Sequence, residues 1–165
     1  MEFNIDLKEL SSRESERVEW KENGDDKFIV SSIVKTISAF ANDISNFGGG
    51  YVVCGAKETK DEFGFPKVLY SGLSAEKLKE IEGKVLQHCR DYVSPSLAPI
   101  VKELDNPKDN STRILVFIIL ASPDAHTYRD GESVNYYVRI SKETKEARNG
   151  ILSQLLVKKQ KLEYF

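Results

Sequence analysis

The chain has 165 residues, enough for one domain with a substantial core and too few for two ordinary ones. Its 24 Lys and Arg against 26 Asp and Glu leave a formal net charge of -2, which excludes a global positive field that would draw it onto a polyanion. Any phosphate contact must therefore come from a local basic patch, and with 40% hydrophobic and 30% charged residues the composition is that of a soluble globular protein.

The start, MEFNIDLKELSSRE, is mixed and charged, unlike a secretory signal. The longest apolar run, Ile114 to Ala121, falls far short of the roughly 20 residues of a membrane span. Cys54 and Cys89 sit in apolar segments at no metal-binding spacing, so they read as small core residues of a reducing compartment. A cytoplasmic location without membrane contact is the expectation.

In chain order, residues 1–12 read as an arm or short helix anchored by Phe3, Ile5, Leu7 and Leu10. A strand follows over residues 17–22, and NGDDK is a turn. Apolar residues at 29, 33, 37, 40, 44 and 47 recur in steps of three and four, predicting an amphipathic helix over residues 28–47. Gly48, Gly49 and Gly50 stop it, and YVVCGAKE is a strand. DEFGFPK is a hairpin tip and KVLYSGL returns extended. Ser74 caps a second helix that buries Leu78, Ile81, Val85, Leu86 and Cys89 and ends at Ser94-Pro95. APIVKEL is a strand and NPKDNS a turn, and the continuous apolar RILVFIIL marks a strand buried on both faces. SPDAHTYRDG reads as a turn-rich loop. GESVNYYVRI alternates, with Asn135, Tyr137 and Arg139 on one face, and a last helix covers residues 149–161. One α+β (two-layer α/β) domain over residues 1–165 is predicted, with a mixed sheet.

Three constellations bear on chemistry. FGGGY follows a helix rather than preceding one, so its glycines lie at the negative end of the helix dipole and suit a left-handed cap better than a phosphate loop. In ESERVEWKEN, alternation puts Arg17, Glu19 and Lys21 on one strand face and Val18 and Trp20 on the other, with Glu14 in reach. That face suits either solvated ion pairs or a divalent metal beside a phosphate-holding lysine, with Glu58 or Asp61 as a further carboxylate. Third, Tyr137 and Arg139 with Lys142, Lys145 and Arg148 form a basic and aromatic cluster of the kind that holds a nucleic-acid backbone, though Glu143 and Glu146 interleave. His88 and His126 have no nucleophile or carboxylate at a triad spacing.

Taken together, ESERVEWKEN, IVKTISAFANDISNFGGGYVVCGAKE and YYVRISKETKEA resemble the Schlafen/AlbA-like DNA-binding domain family. The family pattern has E-S-x-x-x-E-[FW]-K on a first strand, then I-x-A-x-A-N on a helix, a G-G-x-[LV] turn, a strand ending in I-G-[VA] and a late Y-Y-x-R strand. The match runs from Glu14 to the final helix. It departs at Glu58, where aspartate is expected, at Ser141, where glycine is expected, and in the inserted ISNF with its third glycine.

The resemblance implies an AlbA-like mixed sheet packed against two to three helices, as an N-terminal module of bacterial transcriptional regulators and helicase-like proteins. Older labels call the domain ATP-binding. The leading expectation is nucleic-acid (DNA) binding without catalysis, through Lys21, Tyr137, Arg139, Lys142, Lys145 and Arg148. One alternative, also implied by the resemblance, is a metal-dependent endoribonuclease with Glu14, Glu19 and Glu58 on Mg or Mn and Lys21 beside the phosphate. Another is a non-catalytic interaction module that forms a homodimer.

Overall fold

The computed structural model describes residues 5–12, 16–22 and 28–160. In chain order its elements are α1 (Leu7–Ser12), β1 (Val18–Lys21), α2 (Ile29–Asn42), β2 (Gly49–Cys54), β3 (Lys57–Lys60), β4 (Pro66–Leu69), α3 (Ala75–Asp91), β5 (Val93–Ser94), β6 (Ile100–Asp105), β7 (Arg113–Leu120), β8 (Thr127–Asp130), β9 (Ser133–Ile140), β10 (Glu143–Glu146) and α4 (Asn149–Gln160). They form a mixed α+β fold with two four-stranded sheets, ordered β1-β2-β7-β6 and β10-β9-β8-β5, and a separate β3–β4 hairpin. Among the described residues the β1–β2 pair is parallel, with Glu19 opposite Val52, and the other strand pairs are antiparallel.

Helix α2 explains the architecture. It packs against β2 of the first sheet and β9 of the second, so it is buried on more than the single stripe of a surface helix. Ile33, Ile37 and Phe40 join Val52 and Phe117 from the first sheet, Leu78, Ile81 and Val85 from α3, and Tyr128 and Tyr137 from the second sheet in one core. A second cluster lies on the other face of the first sheet, where Val18, Val53, Ile114, Val116 and Ile118 pack with Leu10 of α1. Strand β7 feeds both clusters by alternation, which is why RILVFIIL is apolar without a break. Among the described residues, no helix is long and apolar enough to cross a membrane.

The end of α2 differs from the expectation. The helix stops at Asn42, and the left-handed cap is Asp43 (φ 46°, ψ 52°), whose N–H reaches Ala39 O at 3.1 Å. The Asp43 carboxylate then accepts from the N–H groups of Phe47 (2.8 Å) and Gly48 (3.0 Å), closing the inserted ISNF into a tight loop. The glycines serve strand packing instead. At Gly49 (φ +117°) a Cβ would lie 1.9 Å from Ile119 O, and at Gly50 2.3 Å from the Phe40 ring.

Asn42 ties α2 to the second sheet. Its amide donates to Tyr137 O (2.7 Å) and His126 O (3.1 Å), and its Oδ1 accepts from the His126 N–H at 2.7 Å. The His126 ring is 2% exposed. Its Nδ1–H donates to the Pro95 carbonyl at 2.5 Å, so the neutral ring accepts the Ser122 hydroxyl at Nε2, 2.6 Å away. Burial pushes its pKa below the ordinary 6.5, against the opposing pull of the Pro95 carbonyl and Asp124, while Lys159 adds to the depression. The unfolded chain therefore takes up this proton first. Stability is complete above about pH 6.5 and is lost as the pH falls below it. His88 is depressed by burial in the same direction. Urea titrations between pH 7.5 and 5 (roughly spanning the unfolded histidine pKa) should show falling stability, and His126→Gln should flatten that fall to the share left by His88.

Candidate nucleic-acid interface

Strand β1 buries Val18 and Trp20 against the second cluster and turns Glu19 and Lys21 toward the N-terminal half of α2. Strand β9 brings Arg139 to the same place. Arg139 is 7% exposed; its Nη2 donates to Glu19 Oε2 at 2.5 Å and its Nη1 to Thr144 Oγ1 at 3.1 Å, with Phe40 ring 5.3 Å away. Thr144, on β10, also shares a 2.7 Å hydrogen bond with Thr36 of α2. Lys21 Nζ lies 3.4 Å from Glu19 Oε1 and donates to Ser32 Oγ at 2.7 Å. These bonds stitch β1, α2, β9 and β10 into the floor of an open cleft of about 570 Å³.

The rim carries Lys35, Lys142, Lys145 and the 64% exposed ring of Phe28. Lys35 donates to Asp130 Oδ2 at 2.9 Å; that bond raises the lysine pKa and holds the Asp130 carboxyl below its ordinary range. Among the described residues five cations and three anions line the cleft, an excess of two positive charges in a chain whose net charge is -2. Ser31, Ser32, Thr36 and Thr144 add hydroxyls; Ser31 donates its proton to Asp130, whereas Ser32, whose oxygen accepts from Lys21, keeps its proton as a neutral donor for an anion.

Of the residues singled out in the sequence, Glu19, Lys21, Arg139, Lys142 and Lys145 meet in this cleft. Tyr137 does share a strand face with Arg139, but that face packs on α2, and the ring lies in the main core at 8% exposure. It is a core aromatic and not a stacking surface for a base. Arg148 stands outside the cleft with Nη2 2.7 Å from Glu146 Oε2. Glu14 lies outside the described residues.

The metal reading needs carboxylates that converge. Glu19 is engaged by Arg139 and Lys21, whereas Glu58, on the hairpin, has its Oε1 4.0 Å from Lys142 Nζ. Among the described residues no three His, Cys, Asp or Glu side chains group closely enough to hold a metal ion. The carboxylate set named in the sequence includes Glu14, outside the described residues, so only Glu19 and Glu58 of that set are placed. The sequence reading missed Ser31, Ser32, Lys35 and Thr36. Their signal was present, since 31/35 and 32/36 are steps of four on the polar side of an amphipathic helix.

The family model described as Schlafen, AlbA_2 matches residues 14–148. The structure is similar to the solution NMR structure of the N-terminal domain of a Nitrosomonas europaea protein, described as related to the ATP-dependent DNA helicase RecG. That likeness has 21% identity, covers 84% of this chain and 88% of that one, and has a TM-score of 0.58, so it speaks for the fold. The DIP2311 protein from Corynebacterium diphtheriae matches with 15% identity over 79% of this chain and 25% of its own, at a TM-score of 0.48. A comparison with curated proteins gives no match.

Proposed function

The chain belongs to the Schlafen AlbA_2 family, and from that premise we propose that it is a nucleic-acid-binding domain, without catalysis of its own, of the kind that serves DNA binding in bacterial transcriptional regulators. The observation that carries the reading is the cleft: among its described residues a local excess of two positive charges, with hydroxyls beside them, on a chain of net charge -2. Such a surface suits a phosphodiester backbone, with lysines neutralising phosphates and hydroxyls donating to their oxygens. Phe28 at the rim offers a ring on which a base can stack.

The test is fluorescence anisotropy with labelled single strands and duplexes of DNA and RNA at two salt concentrations, with Mg or Mn and again with chelator. Binding that weakens with salt and persists in chelator supports the reading; no binding at low salt ends it. The same samples on denaturing gels address the nuclease alternative. Metal-dependent cleavage lost in Glu19→Gln would replace a binding module with an enzyme.

A second reading, assembly with another copy, is favoured by the β3–β4 hairpin. Its tip exposes Phe63 (76%) and Phe65 (66%), far more than a solvated turn requires. Asp61 rigidifies the tip, its carboxylate accepting from the N–H groups of Phe63 and Phe65, both at 2.9 Å. On this reading, sedimentation across a concentration series shows a dimer that Phe63→Ser with Phe65→Ser dissociates. A monomer at every concentration would discard it.

A further inference from the structure

We propose that a second cavity, reached from the cleft over Asp130, takes a nucleobase bearing an exocyclic amino group, from a strand whose phosphate lies in the cleft. This rests on the nucleic-acid reading of the cleft and specifies what that site prefers. The cavity has a volume of about 400 Å³, within the range of small-molecule sites, and is lined by His88, Tyr92, Tyr128, Arg129, Asp130 and Gly131. Asp130 lines both spaces, so a ligand seated in one is a neighbour of the other.

The chemistry of the shared wall is set at one carboxylate. Ser31 Oγ (3.0 Å) and Lys35 Nζ (2.9 Å) both donate to Asp130 Oδ2. Oδ1 thereby keeps acceptor capacity for a ligand. An ionised carboxylate only accepts hydrogen bonds, so it welcomes the amino group of cytosine, adenine or guanine, whereas thymine and uracil carry a repelling carbonyl at the position of the cytosine amino group and flank their one N3–H donor with two carbonyls. Lys35, held at the same carboxylate, is within reach of the phosphate on the cleft side.

The remaining walls are flat. The Arg129 guanidinium lies over the Tyr92 ring at 5.1 Å, and His88 meets the Tyr92 ring edge-on at 4.9 Å. The Arg129 N–H donates to Tyr92 O at 2.9 Å, fixing β8 against the end of α3, so these planes are positioned before any ligand arrives. Tyr128 contributes its hydroxyl, 3.2 Å from His88 Nδ1. Aromatic and guanidinium planes beside a basic groove are what base stacking uses.

The experiment measures anisotropy at neutral pH with three short single strands of equal length: oligodeoxycytidylate, oligodeoxythymidylate and an abasic strand. The cytidine strand should bind about tenfold more tightly than the thymidine strand, the effect of one hydrogen bond to a charged group. Asp130→Asn should abolish or reverse that preference, because the amide can donate to a thymine carbonyl. Arg129→Ala should weaken the two base-bearing strands more than the abasic one. Equal binding of all three strands, or a cytidine preference that survives Asp130→Asn, overturns the inference and leaves the cleft reading intact. Failure of every strand to bind removes both.

Discussion

Arg139→Ala is expected to lower the unfolding free energy by about 3 kcal/mol, the lower end of the cost of removing one partner from a buried ion pair. The lower end applies because the Glu19 side chain is 20% exposed and keeps Lys21 nearby, so its stranded charge is partly solvated. The guanidinium also donates to Thr144, so its loss loosens β10 and the threonine bond to α2 as well. Urea unfolding gives the number. Arg139→Lys should fall between wild type and alanine, since an ammonium keeps the charge but not the planar fork that reaches Glu19 and Thr144 together. Arg139→Met combined with Glu19→Gln should recover most of the loss, because the penalty comes from the unpaired carboxylate. A cost below about 1 kcal/mol for Arg139→Ala would mean that the pair is solvated like an ordinary surface bridge.

That result bears on how the sequence is read. Alternation correctly placed Arg139 and Tyr137 on one face of β9 and Glu19 with Lys21 on one face of β1. It could not say which face meets α2, because burial of a charged or aromatic side chain depends on partners distant in the chain. Arg139 and Glu19 are 120 residues apart, and alternation along either strand carries no sign of their pairing. The long amphipathic segments were legible for the same reason that they are stable: their apolar spacing reports a core that α2, α3 and β7 share. Two short strands, β8 and β10, were not. Strand β8 lies inside a segment rich in turn residues, and β10, ETKE, has no apolar alternation, so both owe their form to pairing with β9. Missing β8 hid Asp130, and with it one wall of the cleft. The end of α2 was overrun because Ile44 and Phe47 continue the apolar period, while the left-handed Asp43 that stops the helix is a local backbone event that no periodicity records.

Because Arg139 holds the fold, the charge reversal that probes binding has to fall elsewhere, on Lys142 and Lys145. Their side chains are 69% and 55% exposed, and their carboxylate partners, Glu58 at 4.0 Å and Glu143 at 3.2 Å, are surface contacts worth little to stability. Lys142→Glu with Lys145→Glu should therefore leave the melting temperature almost unmoved. Affinity for single strands at low salt should fall roughly tenfold per lysine, on the order of 100-fold in all, and alike for cytidine and thymidine strands, since phosphate contacts carry no sequence information. The slope of log affinity against log salt should shrink by about 0.7 for each lysine that neutralises a phosphate, hence by about 1.4 for the pair. The slope discriminates where affinity alone does not. A variant that binds weakly with an unchanged slope has lost something other than phosphate contacts, and these lysines would then be bystanders at the rim. A reduced slope with an unchanged melting temperature would place both lysines on the backbone of the strand, and neutral donors such as the Ser32 hydroxyl would then account for the binding that remains at high salt, where ion release no longer contributes.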